Sequence, residues 1–262
     1  DYINSDYPYK KFKNIEHEIL NKYFVQEDKQ LFLQSDEIII DQNLYIPKGF
    51  KVIVKPNQKI LLTNNAFIIS NSPWTIGGKN GEVIITGEKN NLGGGILIGD
   101  NEELSKIQNT KISYLAGNKN NLNSEFLIFG SINFHQTNVE INNVNFENIY
   151  SEDAINIFRS SFKINNNSYI NIDSDAIDID FSNGEINSVN FENVENDAID
   201  FSGSKATIYN SYFNNVNDKL ISAGENSKIN ISKIKAFNSH AGIISKDGTE
   251  VYSSDIDFNG VQ

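Results

Sequence analysis

Short apolar runs alternate with polar residues along nearly the whole chain, and between residues 148 and 247 the alternation becomes one phrase written five times. NIYSEDAINIF begins at Asn148, NIDSDAIDIDF at Asn171, NVENDAIDFSG at Asn193, NVNDKLISAGE at Asn215 and NSHAGIISKDG at Asn238, in steps of 23, 22, 22 and 23 residues. Self-similarity at a fixed period marks a solenoid, whose repeats bury their apolar faces only against each other. Helical repeats run to about 33 residues or more. Runs of Ile, Val, Phe and Tyr punctuated by Asn, Ser, Asp and Gly are instead the grammar of short strands and turns. The pattern predicts an all-β fold, a parallel β-helix with coils of about 22 residues.

In that register Ile155, Ile177, Ile199, Ile221 and Ile244 form one core column, and Phe146, Tyr169, Phe191 and Phe213 form a second. Asn148, Asn171, Asn193, Asn215 and Asn238 form a third, read as a bend stabilised by amide hydrogen bonds between coils. Two residues before each Ile stand Asp153, Asp175, Asp197, Lys219 and Gly242; one residue after it stand Asn156, Asp178, Asp200, Ser222 and Ser245. Ala154, Ala176 and Ala198, between the two sets, are expected to leave room above the surface. Equivalent positions of adjacent coils lie about 4.8 Å apart. Stacked carboxylates at that spacing repel by roughly 3 kcal/mol per pair at an effective dielectric of about 20. A bound cation, the Lys219 ammonium, or a proton retained by one carboxyl would each relieve this.

Ahead of the repeats, residues 10–24 place Phe12, Ile15, Ile19, Leu20 and Tyr23 on one side of a helix, which would cap the first open coil. Residues 1–30 then read as lead-in and cap, and 31–262 as a single β-helix domain. Trp74 is expected in core or turn packing, and Gly93, Gly94 and Gly95 at a tight bend or close coil contact. Asn118 to Glu125 reads as a protruding loop. His17 falls on the cap helix, His135 in a solvated turn after a strand, and His240 at a repeat bend. The last coil carries no closing helix, so a further C-terminal domain or a partner is expected to cover it.

Composition adds limits. A net charge of −12 argues against nucleic acid and anionic membranes as partners, and no run is long and apolar enough to insert in a bilayer. The absence of Cys excludes a disulfide framework and thiolate metal sites. Asp at position 1 and no Met anywhere lead to the expectation of a processed or excised segment.

The repeat resembles the right-handed parallel β-helix superfamily of pectate lyases and polygalacturonases. Ser174-Asp175-Ala176-Ile177-Asp178, Asn196-Asp197-Ala198-Ile199-Asp200, Asp218-Lys219-Leu220-Ile221-Ser222 and Ile244-Ser245-Lys246 follow the order of the polygalacturonase motifs. By that resemblance Asp175 and Asp197 match catalytic aspartates, Lys219 stands where the family has His, and Lys246 matches a substrate-binding Lys. Asn196, Lys219 and Ile244 depart from the family pattern. The phrases SEDAIN, SDAIDIDFS and DKLISAGE also look like β-helix regions of bacterial surface proteins that accompany CotH-type kinase-like domains. No alginate-epimerase D-P-H-D segment is present.

Together these imply an extracytoplasmic, carbohydrate-active β-helix that cleaves or modifies an acidic polysaccharide. As a hydrolase it would use Asp175 and Asp197 as acid and base. As a lyase it would use Lys219 or Lys246 as base beside a calcium ion held by Asp178 and Asp200. Arg159, Glu225, Asp153 and Lys246 would contact substrate. The competing reading is a non-catalytic glycan- or calcium-binding scaffold or adhesin module.

Overall fold

The computed structural model describes residues 17–117 and 128–262. It is a parallel β-helix. One side of the solenoid is a nine-stranded parallel sheet whose strands follow one another coil by coil from Leu44–Ile46 to Ala241–Ser245. The other strands join a 17-stranded sheet, to which the central repeats each give two, such as Ser161–Asn165 and Ser168–Ile172. The expected helix is described over His17–Tyr23, and residues 10–16 of its pattern lie outside the described residues. Leu20, Tyr23 and Phe24 are buried in the main core. The chain then forms the antiparallel hairpin Phe24–Glu27 with Gln30–Leu33 before the coils begin. Helix and hairpin together cap this end, hiding the first coil's apolar interior. The loop expected over Asn118 to Glu125 lies outside the described residues.

Register follows the columns. Ile132, Ile155, Ile177, Ile199 and Ile221 pair in sequence and are essentially fully buried. The last step corrects the expectation: Ile221 pairs with Ile243, and Ile244 faces outward opposite Ser222 with 38% of its surface exposed. Two consecutive isoleucines made either register compatible with the pattern, and a one-residue slip turns a strand's side chains over. Ala241, not Gly242, therefore follows Lys219, and Ser245 follows Ala223. A second correction concerns Ala154, Ala176 and Ala198. They are fully buried members of the core and leave no gap on the outer surface.

The aromatic column is a continuous stack. Phe146, Tyr169, Phe191 and Phe213 succeed each other at centroid distances of 4.8, 5.3 and 4.7 Å with interplanar angles of 6°, 14° and 14°. The Tyr169 hydroxyl lies beside Asn167 in this core but makes no hydrogen bond of normal geometry. Tyr169→Phe, which matches the other three rings, is expected to stabilise the protein by about 1 kcal/mol, because a buried hydroxyl without a partner is costly. Urea unfolding would check this, and a lower midpoint would count against the stated packing.

At the bends, Asn148, Asn171, Asn193, Asn215 and Asn238 all adopt left-handed backbone, with φ between 48° and 56°. Asn tolerates this conformation better than most residues. Its amides link the coils: Asn171 donates to Asn148 (3.1 Å), Asn193 to Asn171 (2.9 Å) and Asn215 to Asn193 (2.8 Å), whereas Asn238 turns to Asn214 (3.3 Å). A second ladder runs inside the opposite corner, where the backbone N–H groups of Ser160, Ser182 and Ser204 donate to the hydroxyls of Ser182, Ser204 and Ser227 at 2.9, 3.0 and 2.9 Å. Trp74 is fully buried in the core. A side chain at Gly95 would come within 2.4 Å of the Ser131 carbonyl oxygen, so the glycine run does mark a close coil contact.

Candidate functional site

Strand alternation sends two rows of side chains outward from the nine-stranded sheet. Paired in register, the first row reads Tyr45, Ile69, Leu97, Asn133, Asn156, Asp178, Asp200, Ser222, Ile244. The second reads Gly99, His135, Phe158, Asp180, Ser202, Gly224. The face changes character along its length. Tyr45, Ile69 and Leu97 form a separate apolar cluster with Phe67 and Ile128. From Asn133 to Ser222 the row is polar, and the carboxyls concentrate on two successive strands, Asp175–Asp180 and Ile199–Ser202.

Here Asp178, Asp180 and Asp200 share one surface. Asp178 and Asp200 are register partners, and Asp180 lies two residues along the strand from Asp178. Burial, then the charges of Asp180 and Asp200, push the Asp178 carboxyl up to about 8. Burial, then Asp200 and Glu225, raise Asp180 to about 6. A polar chain leads into the cluster from the side: the His135 ring nitrogen Nε2 lies 2.9 Å from Asn156 Oδ1, and Asn156 Nδ2 donates to Asp178 Oδ2 at 2.8 Å. Burial holds the His135 imidazole below its usual range, so it is neutral at pH 7. Among the described residues, the buried atoms Asp200 Oδ1 and Ser222 Oγ on this face have no hydrogen-bond partner.

The sheet-entry column is built differently. Asp175 Oδ1 accepts from the backbone N–H of Asp197 (2.9 Å) and from Asn196 Nδ2 (2.6 Å). Asp197 Oδ1 accepts from the backbone N–H of Lys219 (3.0 Å) and from its Nζ (3.1 Å). Each carboxylate thus clamps the strand of the next coil. Burial raises Asp175 to about 6. Burial also raises Asp197, with Lys219 pulling the other way. Burial opposes the Lys219 charge, but Asp218 and Asp197 outweigh it and raise the ammonium's pKa. Asp153 is 3% exposed and its Oδ2 has no partner among the described residues; burial first, then Asp178 and Asp175, raise it well above the usual range.

The outlying residues fall on two lines. Arg159 and Glu225 share a column of left-handed residues at the far edge of the sheet, with Phe181 and Gly203 between them. Arg159 is exposed, places its guanidinium 4.8 Å from the Phe158 ring centroid, and helps line a shallow cavity of about 400 Å³. Lys246 follows Gly224 in the second outward row, three coils from Asp180. Asp178 and Asp200, the residues considered for calcium, are neighbours, but among the described residues no three His, Asp or Glu side chains converge on one point.

Sequence reasoning missed His135, Asp180, Phe158 and Phe181. His135 is not in a solvated turn; it ends the strand Gly130–His135 and is half-buried on the acidic face. The signal was in the sequence. His135 stands three residues after Ile132, as Phe158 and Asp180 stand three after Ile155 and Ile177. His240 is exposed at the bend, away from these rows.

No family model and no curated protein matches the chain. Among solved structures the fold is similar to a variant of the periplasmic alginate epimerase AlgG, at 9% identity and a TM-score of 0.50, covering 95% of this chain and 81% of that one. It is also similar to the A-module of an Azotobacter vinelandii mannuronan C-5 epimerase, at 12% identity and a TM-score of 0.23, covering 85% and 88%. A third likeness is to PfbA, a surface adhesin of Streptococcus pneumoniae, at 11% identity and a TM-score of 0.22, covering 84% of each chain. The first of these shows the fold alone, a parallel β-helix.

Proposed function

We propose that the protein is a carbohydrate-active β-helix that works outside the cytoplasm and cleaves a polysaccharide laid along the outer face of the nine-stranded sheet. The observation that carries this reading is the register pair Asp178 and Asp200, one carboxyl holding its proton up to about pH 8 and the other beside it with an unpartnered oxygen. Glycoside hydrolysis needs such a pair, one acid to protonate the leaving oxygen and one carboxylate to act on the anomeric carbon. Backbone positions on adjacent coils are about 4.8 Å apart, which puts both carboxyls within reach of one glycosidic bond; at a carboxyl separation of about 5–5.5 Å the second carboxylate attacks directly and the configuration is retained. Asp178 gives its proton to the glycosidic oxygen while an Asp200 oxygen bonds to the anomeric carbon. Water then breaks that ester, returning its proton to Asp178. Asn156, donating to Asp178 and bonded to His135, orients the acid. Asp175, Asp197 and Lys219 act as coil clamps in this reading. The location outside the cytoplasm is that of the periplasmic epimerase of similar fold.

The test is incubation with a panel of acidic and neutral polysaccharides, followed by size-exclusion chromatography and reducing-end assay. At least one polymer is expected to shorten, with the rate falling by about 10²–10⁴ in Asp178→Asn and in Asp200→Asn. Shortening that survives both substitutions, or none on any polymer, would remove the hydrolytic reading; retained glycan binding in the second case would favour a non-catalytic module.

A further inference from the structure

Beside the carboxyls runs a line of rings, of which the cleavage chemistry uses only His135. His135 meets Phe158 edge-on at 5.7 Å, and Phe158 meets Phe181 edge-on at 6.1 Å and 88°. Phe158 pairs in register with Asp180, and Phe181 follows Asp180 in the chain. Phe181 is 49% exposed, so part of its ring is open to solvent next to the acidic face.

Its backbone is unusual. Phe181 has φ 49°, in a column whose other members include Asp100, Gln136, Arg159, Gly203 and Glu225. The coil requires left-handed backbone there, and polar residues or glycine fill it elsewhere. A bulky apolar residue at positive φ is an outlier, and such strain is concentrated at functional sites. The next coil makes space for the ring. A side chain at Gly203 would come within 2.5 Å of Phe181 Cδ1 and 2.7 Å of Cε1, so the ring lies directly over the glycine. An exposed Phe in a strained conformation, held against the next coil, is a flat apolar platform at the edge of a polar face.

We infer that Phe181, flanked by Phe158, is a sugar-stacking subsite and that the polymer it takes is neutral. This rests on the reading of the sheet as a polysaccharide site. The apolar face of a pyranose ring matches an aromatic ring, and sugar hydroxyls are donors for the carboxyls of Asp178, Asp180 and Asp200. A polyanion, the class expected from the sequence, would bring its charges against Asp180, Asp200 and Glu225. The Lys219 ammonium does not offset them, because Asp197 and Asp218 hold it. Arg159 stands at the rim over Phe158.

Affinity electrophoresis tests this directly, with galactomannan, xyloglucan and hydroxyethylcellulose as neutral probes and alginate and polygalacturonate as anionic ones. Binding of at least one neutral polymer and of neither polyanion is expected, with affinity about tenfold or more lower in Phe181→Ala. Phe181→Asn, suited to left-handed backbone, is expected to melt at the same or a higher temperature than the natural protein and still lose binding. Retardation by a polyanion, by no neutral polymer, or equally in the natural and variant proteins would overturn the inference. Binding is read without turnover, so its loss in Phe181→Ala is independent of whether the polymer is cleaved. A protein that binds through Phe181 but cleaves nothing would keep the subsite and lose only the hydrolytic reading.

Discussion

Stability is expected to fall as the pH rises from about 4 to about 8, and Asp178→Asn is expected to remove the upper part of that fall. Burial, reinforced by Asp180 and Asp200, pushes Asp178 up to about 8, and mainly burial pushes Asp175 and Asp180 to about 6. In the unfolded chain each carboxyl titrates near 3.9. Between the two values the folded protein holds protons that the unfolded chain has released. Each such group therefore lowers stability by about 1.4 kcal/mol per pH unit as pH rises. The favourable contribution is complete below about pH 4 and is gone once pH passes the folded value. Asp153, also raised by burial, adds to the slope. His135, lowered by burial, works the other way below about pH 6.5, one group against several. Above about pH 6, where Asp175 and Asp180 have released their protons, Asp178 still holds its own. Asp178→Asn keeps an oxygen to accept from Asn156 and removes the charge, so over about four pH units it should gain up to about 5 kcal/mol over the natural protein at pH 8 and little at pH 4. Thermal melts in half-unit steps of pH would show it. Parallel curves for the two proteins would contradict the shared-proton picture of the acidic face.

Repeat spacing made the coil legible because a solenoid writes each packing contact once per turn. The Ile, aromatic and Asn columns needed only correct counting. The count failed where chemistry did not discriminate, at Ile243 and Ile244, and at alanines small enough to belong to either side of a strand. The site was less legible for a related reason. Asp175 and Asp178 look equivalent in a string of letters, yet one accepts a backbone N–H from the next coil and the other faces outward beside another carboxyl. Side-chain direction at the sheet entry depends on a local bend, not on alternation. Of the three ways to relieve stacked carboxylates, two are present on different columns: Lys219 neutralises Asp197, and Asp178 keeps its proton. His135 was hidden because its coil lacks the DAI phrase, and Phe181 because an apolar residue in a turn carries no motif.

The clamp column should show its role in a contrast between two substitutions at one position. Asp197 has a side chain only 6% exposed, and it holds both the backbone N–H and the ammonium of Lys219. Asp197→Ala removes both acceptors, leaves Lys219 with Asp218 alone and opens the joint between two coils. It is expected to cost about 3 kcal/mol, in the range for breaking a buried charged pair. In Asp197→Ala with Lys219→Met the loss should be smaller than the sum of the single losses, because the stranded ammonium is gone. Asp197→Asn still offers an oxygen to the Lys219 N–H, so it should cost less than Ala and keep polysaccharide cleavage within a few-fold. A residue that exchanges a proton with substrate behaves differently, since an amide cannot replace it and the rate falls by about 10²–10⁴. Loss of cleavage of that size in a folded Asp197→Asn protein would return the acid–base role to the column that the sequence resemblance first indicated. Retention there, together with loss in Asp178→Asn, would fix the chemistry on the outward row and leave Asp197 as the acceptor that holds one coil to the next.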